Sequence, residues 1–427
     1  SVLQETAGNL YEGAIVQLRQ KGLFEWVTKI DFASMYPSAM QTLNLSPDTC
    51  KMVAFHKIDP MVPTMEQYKF KYNDEYLTLF IPDINLKRVC EIQISRKRTG
   101  FLTEFISNSK KKRKEIRSQM DNASPEEKLI LDSRQNAVKV LMNSMYGING
   151  QGDRRWADLA ISVATTGMCR WTTTRVLEWI DKNYRRTQVA TNVPEFKDYT
   201  GCIIEVDTDG IIVSEKIDVD KLNSYLDELI LHTFGMKNYL HLEEESFGDK
   251  GFGGRCFMYK QKNYIVANPQ TPTGIIVHGA AFKSSGKPKI YDNARQIITT
   301  ALVKNSKSKE DTSKEVEEFL NIMDTYPISS FYMSVRIGKS EREYASQSAL
   351  PAKLAQEYER RMGVYPDLDT QLRYVKTKTG YKLMLAEDSM ENTDLDYSYY
   401  KEDIVDLATN IFGLNLTTQD TSQISIF

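Results

Sequence analysis

The sequence predicts an α+β fold: an antiparallel sheet, a helical hairpin inserted in it, and a mostly helical C-terminal part. Three observations point there. Cys202-Ile-Ile-Glu-Val and Gly210-Ile-Ile-Val-Ser are short apolar runs on either side of Asp207-Thr-Asp209, and Asp209-Gly210 is a strong tight-turn dipeptide. Between about Gly100 and Gly147, two long helix-permissive stretches meet at the breaker Asn122-Ala-Ser-Pro125. Beyond about Ala267 the chain becomes polar and helical, then acidic between Glu387 and Asp403.

Bulk properties bound the possibilities. A chain of 427 residues with 41% hydrophobic content buries more than a single core holds, so several subdomains are expected. The 55 basic residues nearly balance 57 acidic ones, so a polyanionic partner would have to meet local basic density, not net charge. The five cysteines (Cys50, Cys90, Cys169, Cys202 and Cys256) are far apart and form no Cys-x-x-Cys pair. That argues against a zinc site or a disulfide framework and fits a reducing cytoplasm. No run approaches the ~20 apolar residues of a membrane span. The opening Ser-Val-Leu-Gln-Glu is not a secretory signal, and a start on Ser1 reads as an excised or processed piece.

In chain order, Leu23 to Ile30 reads as a strand running into Asp31, with Trp26, Val27 and Ile30 suited to a buried sheet. Residues 50–85, with Pro60, Pro63 and Pro82, read as an irregular insertion. Arg96 to Met120 is a basic helix. Within it Lys110 to Lys112 read as a solvated face, while Arg113 and Arg117 stand one turn apart. The next helix starts on a capping box, with Ser124 as N-cap, Pro125 at the first helical position and Glu127 closing the box. It should run to a stop at Gly147, placing Lys139, Asn143 and Tyr146 on roughly one face that looks across at Arg113 and Arg117. Ile161 to Trp179 reads as a further buried helix, and no internal repeat is present.

Four segments carry the chemistry: Asp31-Phe-Ala-Ser-Met-Tyr36-Pro-Ser38, Lys139-Val-Leu-Met-Asn143-Ser-Met-Tyr146-Gly147, Asp207-Thr-Asp209 and Lys262-Asn-Tyr264. An isolated Asp-Thr-Asp-Gly is most often a plain turn, and a lone Lys-x-Tyr says almost nothing. The ordered set supplies two sources of carboxylates, a basic helix face and a basic-aromatic pair. In that order the segments resemble those of a family B (alpha-like) DNA polymerase of phage type, and the likeness spans about Tyr11 to Ile411.

The resemblance implies a right-hand polymerase fold. A palm would lie in residues 1–95 and 148–266, with its catalytic hairpin at 202–214. Fingers would occupy 96–147, a thumb 267–416, and a flexible tail 417–427. It implies template-directed transfer of a deoxynucleotide to a primer 3′-hydroxyl with two Mg2+ ions, Mn2+ being the alternative. Asp31 and Asp209 would be the principal metal ligands and catalytic carboxylates, with Asp207 and the carbonyl of Phe32 as further ligands. The backbone near Ser34 and Met35 would hold the triphosphate, and Tyr36 would form the floor that excludes a 2′-hydroxyl. Arg113, Arg117, Lys139 and Asn143 would grip the phosphates, with Tyr146 at the nascent base pair. Lys262 and Tyr264 would hold the primer; Tyr11 and Gly13 match a Tyr-x-Gly-Gly segment that contacts the template, with Ala14 at its second glycine. Glu245 matches an acidic position of phage-type members. Leu395-Asp396-Tyr397-Ser-Tyr399-Tyr400 resembles a thumb segment of the family and equally suits aromatic core packing.

Gln423-Ile-Ser-Ile426-Phe427 resembles a peptide that docks on a bacterial-type sliding clamp. The further partners implied are primer-template DNA, deoxynucleoside triphosphates and a separate exonuclease subunit, since the chain starts at the Tyr-x-Gly-Gly-like segment. No membrane is implied, and the expected location is the cytoplasm, that of the host for a viral member. The pattern departs from the family's at Met35 and at the hairpin flanks, Glu205-Val206 and Gly210. Two rivals are a catalytically silent primer-template scaffold and a metal-dependent nuclease. The first does not require intact Asp31 and Asp209; the second leaves Tyr36 and the Lys139 helix without a purpose.

Overall fold

The structure is a computed structural model and describes residues 11–150, 158–245, 254–282, 286–339 and 349–417. It mixes helices with antiparallel sheets, and the chain divides into two compact units. One holds residues 1–20, 27–246 and 250–252; the other holds 21–26, 247–249 and 253–427.

At the centre of the first unit is a five-stranded antiparallel sheet in the order Val16–Leu18, Ile203–Asp207, Gly210–Val213, Thr28–Phe32, Leu242–Glu245. Ile30, Ile203, Val206, Ile211 and Val213 are essentially buried in its core. The predicted hairpin is present, with Asp207 paired to Gly210 and Thr208-Asp209 as the turn. The left-handed residue of that turn is Thr208 (φ 61°) and not Gly210.

The single strand expected from Leu23 to Ile30 is two strands, Gln20–Phe24 and Thr28–Phe32. The break falls where residues 21–26 join the second unit and residue 27 returns to the first. Residues 50–85 are not irregular. With 88–95 they form a four-stranded antiparallel sheet in the order Cys50–Lys57, Arg88–Ser95, Tyr76–Asp83, Lys69–Tyr72. Helix Leu159–Asn183 packs on this sheet, and its apolar residues lie on every side, as befits a helix inside a core. Gly167 permits the contact, because a Cβ there would sit 2.5 Å from Ile81 Cγ2.

Helices Phe101–Met120 and Pro125–Gly150 pack side by side as the expected hairpin. The capping box closes as predicted: Ser124 N–H donates to Glu127 Oε2 (2.9 Å) and Glu127 N–H to Ser124 Oγ (3.3 Å). Gly147 does not stop the second helix, which runs on to Gly150. An interior helix glycine costs only about 1 kcal/mol, which packing of Met142, Met145 and Tyr146 on the core offsets.

In the second unit, Cys256–Lys260, Asn263–Ala267 and Ile275–His278 pair antiparallel, and Leu23 stands opposite Phe257. The part beyond residue 267 is less purely helical than expected. Helices Lys289–Thr299, Lys309–Asn321, Leu350–Met362 and Tyr397–Asp406 share it with a three-stranded sheet, Met333–Arg336, Gln371–Thr377 and Gly380–Leu383. Leu395 and Tyr400 are buried here, and Lys376 N–H donates to the Tyr400 hydroxyl (2.7 Å), so the Leu395–Tyr400 segment does pack as aromatic core. All five cysteines are buried and none is in a disulfide. Among the described residues no helix is long and apolar enough to cross a membrane.

Candidate active site

Strand Thr28–Phe32 carries Asp31 one residue before its end. In the sheet register Asp31 faces Gly210 on one side and Glu243 on the other, and Phe32 N–H donates to Asp209 O (2.9 Å). The hairpin turn is thereby fastened to the strand end, and the Asp31 and Asp209 carboxyls are neighbours. Both are held above the usual carboxylate range. For Asp31 the main cause is burial, then the charge of Asp209; Lys29 acts the other way. For Asp209 burial again leads, opposed by a backbone hydrogen bond and Lys29, with Asp207 and Glu245 adding to the rise.

After Phe32 the chain turns through Ser34, whose left-handed backbone (φ 55°, ψ 61°) starts helix Met35–Leu43. Ser38 closes the turn, its Oγ donating to Ala33 O (2.9 Å) and its N–H to Ser34 O (3.0 Å). A cavity of about 720 Å³ opens above this turn. Asp31, Phe32, Ser34, Met35, Tyr36, Arg113, Arg117, Lys139, Asn143 and Asp209 all line it. Residues from four stretches far apart in the sequence, singled out by motif and by the family resemblance, therefore share one cleft.

Tyr146 does not line the cleft. Its ring stacks on Tyr36, with centroids 4.3 Å apart and planes 17° from parallel, and its hydroxyl meets that of Tyr11 (3.1 Å). Nor does Asp207, the last residue of its strand, although its charge reaches Asp209. Gly13 has open space where a Cβ would be, so sterics do not require a glycine there. Its segment is tied down by Arg170, which donates to the carbonyls of Glu12 and Gly13, and by Glu12 N–H donating to Asp83 Oδ2 (2.8 Å).

In the second unit, Lys262 occupies a left-handed turn position (φ 60°) between two strands. Tyr264 is buried and stacks on His278 (4.9 Å, 10°), whose Nδ1 lies 3.1 Å from Lys262 O. Gly279 makes this close approach feasible, since a Cβ there would sit 2.2 Å from that carbonyl oxygen. Gln423, Ile426 and Phe427 lie outside the described residues.

Three residues of this region escaped the pattern reading. Gln135 accepts from Arg113 Nε (2.9 Å); one turn before Lys139, it could have been found by helical spacing. Lys110 is not on a solvated face, unlike the exposed Lys111 and Lys112. It reaches back to Ser38 Oγ (2.8 Å) and Gln41 Oε1 (2.9 Å), and burial lowers its pKa to about 8. Its spacing to Arg113 and Arg117 was the available signal. Lys29, two before Asp31 on the same strand face, was visible by the two-residue alternation.

The residues present fit a divalent cation. Asp31 Oδ1 is buried without a hydrogen-bond partner, and the facing Asp209 carboxyl leaves two crowded acids that a cation would relieve. Among the described residues no cluster of three or more His, Cys, Asp or Glu side chains closes a metal cage. Magnesium suits such an open site, since it retains waters and substrate phosphates as ligands.

The model of DNA polymerase family B matches residues 2–414, and the chain belongs to that family. Similar curated proteins include DNA polymerase 1 of Pyrococcus abyssi, 26% identical over 331 residues, covering 74% of this chain and 35% of that protein. DNA polymerase 1 of Aeropyrum pernix is 26% identical over 407 residues, covering 92% and 36% respectively. The chain thus spans about a third of the length of these relatives. The structure of the family B DNA polymerase from Pyrobaculum calidifontis superposes with a TM-score of 0.63 at 20% identity, over 99% of this chain and 48% of the other. That likeness supports a common fold.

Proposed function

We propose that this chain is the polymerase part of a family B enzyme, adding deoxynucleotides to a primer 3′-hydroxyl under the direction of a DNA template. The observation that carries the reading is the single cleft shared by Asp31, Asp209, Arg113, Arg117, Lys139 and Asn143. In this reading the five-stranded sheet and helix Leu159–Asn183 are the palm, the Phe101–Gly150 hairpin the fingers, and residues beyond 267 the thumb.

Asp31 and Asp209, with the carbonyl of Phe32, would hold divalent ions, Mg2+ by preference; Asp207 would contribute mainly charge. Bound there, such ions supply activation of the primer hydroxyl and neutralisation of phosphate charge. The protein's own groups do the rest. Lys139, Arg113 and Arg117 neutralise and orient the triphosphate, the two arginines through forked hydrogen bonds. Gln135 fixes the plane of the Arg113 guanidinium. The amides around Ser34 and Met35, at the left-handed turn, would offer donors to the phosphate tail. Tyr36, held flat by Tyr146, would exclude a ribose 2′-hydroxyl. Lys262 steadies the primer by a phosphate contact, and Tyr11 and Gly13 lie along the template.

Primer extension with magnesium and the four deoxynucleotides tests this directly. Full-length product that vanishes in Asp31→Ala and Asp209→Ala is expected. Binding of primer-template with no extension under any divalent ion would instead identify a silent scaffold.

A further inference from the structure

The strand that delivers Asp31 also delivers a cation to it. Lys29 Nζ lies 3.4 Å from Asp31 Oδ2 and forms an ion pair with Glu245 Oε2. Glu245 stands directly opposite Lys29 in the sheet register, on the edge strand Leu242–Glu245. A Lys–Glu pair across two strands is an ordinary sheet contact. Two features set this one apart. The lysine is shared with an acid of the catalytic pair whose other oxygen, Oδ1, is buried and unpartnered. Its side chain also runs over Gly210, where a Cβ would sit 2.6 Å from Lys29 Cε. The bare glycine next to Asp209 leaves the lysine its path into the acidic cleft.

We infer that Lys29 is a positioning residue that competes with a divalent ion for Asp31, and that Glu245 tunes the competition by drawing the ammonium aside. This rests on the reading of Asp31 and Asp209 as the metal site. An ammonium and a divalent ion a few ångströms apart repel one another, and both are attracted by the same carboxylate. Glu245 gives the lysine a second partner on the far side from the hairpin, which leaves Asp31 to the metal. Glu245 thus favours metal binding through Lys29 and not as a ligand. Two residues outside the catalytic pair then set how much divalent ion the site demands.

The test is a double-mutant cycle read by metal binding, not by activity. Mn2+ is titrated onto the full chain without DNA or nucleotide, and free Mn2+ is followed by its electron paramagnetic resonance signal. Lys29→Met should tighten Mn2+ binding about fivefold, and Lys29→Gln should act in the same direction should the methionine variant fold poorly. Glu245→Gln should weaken binding about fivefold in the natural background and change it less than about twofold in Lys29→Met. Unchanged or weaker binding in both Lys29 variants would overturn the inference. So would an equal loss from Glu245→Gln in both backgrounds, which would make Glu245 a direct ligand. If Mn2+ binding were indifferent to Asp31→Asn, the metal-site reading itself would fall, by a result that the Lys29–Glu245 cycle does not produce.

Discussion

The rings of Tyr36 and Tyr146 lie 4.3 Å apart and nearly parallel, joining the turn after Asp31 to the helix that carries Lys139. Stacking of this kind contributes about 1 kcal/mol beyond burial, and here it fixes the plane of Tyr36 where it lines the cleft. Tyr36→Ala should raise ribonucleotide over deoxynucleotide incorporation by about tenfold or more, a steric discrimination of a few kcal/mol being lost. Tyr146→Ala should move the ratio in the same direction by less, because it only frees the ring. Single-nucleotide insertion kinetics with both sugar types check this; equal ratios in all three proteins would place sugar selection elsewhere.

Asp31→Ala and Asp209→Ala should each lower the extension rate by at least about a hundredfold while primer-template affinity changes little. In the proposed mechanism the lost interaction would stabilise charge that develops in the transition state and would leave most phosphate contacts in place. Rapid-quench kinetics beside a fluorescence-anisotropy titration separate the two. Extension within tenfold of normal in both variants would refute the metal assignment.

Gln135→Ala should raise the apparent KM for nucleotide several-fold with a smaller fall in kcat, because Arg113 loses the acceptor that orients it. Arg113→Ala and Lys139→Ala should do the same more strongly. The pair Gln135→Ala and Arg113→Ala should be less than additive, as expected of groups in contact. Full additivity would show that Gln135 acts independently of the arginine.

Lys110 titrates where stability can be followed. Burial holds its pKa near 8, below the ordinary 10.5. Between those values the unfolded chain binds the proton more tightly, so the native state carries a penalty at neutral pH that fades as pH rises through this window. Lys110→Met should therefore be the more stable protein at pH 7, by at most about 3 kcal/mol, with the advantage shrinking above pH 8. Urea unfolding at pH 7 and pH 9.5 measures both. An advantage that grew with pH would contradict the buried ammonium.

Lys262→Ala should weaken primer-template binding and make its salt dependence shallower by about one phosphate contact. Tyr264→Phe should leave affinity unchanged, since the ring is buried against His278 and the substitution keeps that stack. Titrations at several salt concentrations decide; an unchanged slope for Lys262→Ala would remove it from the DNA side.

The hairpin and the capping box were legible because each has a local signature, a tight-turn dipeptide and a Ser-Pro-x-Glu start. Four-residue spacing paired Arg113 with Arg117 and Lys139 with Asn143, while the cleft residues from Asp31 to Tyr36 were reached through the family resemblance. The four-stranded sheet over 50–95 was not legible, because its prolines read as loop. Pro60 and Pro63 do lie outside the strands, but Pro82 sits inside Tyr76–Asp83, past the residues that pair with Lys69–Tyr72. Paired on one side only, it tolerates the missing N–H there. Gly210 misled in another way. The sequence marked Asp209-Gly210 as the turn dipeptide, whereas the turn is Thr208-Asp209, Thr208 is its left-handed residue, and Gly210 stands in the strand and makes room for Lys29. Long-range contacts of that sort leave no trace in local spacing.

Residues 21–26 impose an order of events on synthesis. Leu23 is made early, yet its strand partner Phe257 follows roughly 230 residues later, which is on the order of ten seconds to a minute at about 5–20 residues per second on the ribosome. For that interval the short segment lacks its Cys256–Lys260 partner while the neighbouring Thr28–Phe32 strand also waits for Gly210–Val213. A single cut cannot divide the two units cleanly either: cleavage anywhere between Trp26 and Phe257 strands Leu23 on the wrong fragment. Dissection of this polypeptide into autonomous halves therefore calls for circular permutation or for grafting the six residues, and simple truncation would leave Cys256–Lys260 without the strand that pairs with it.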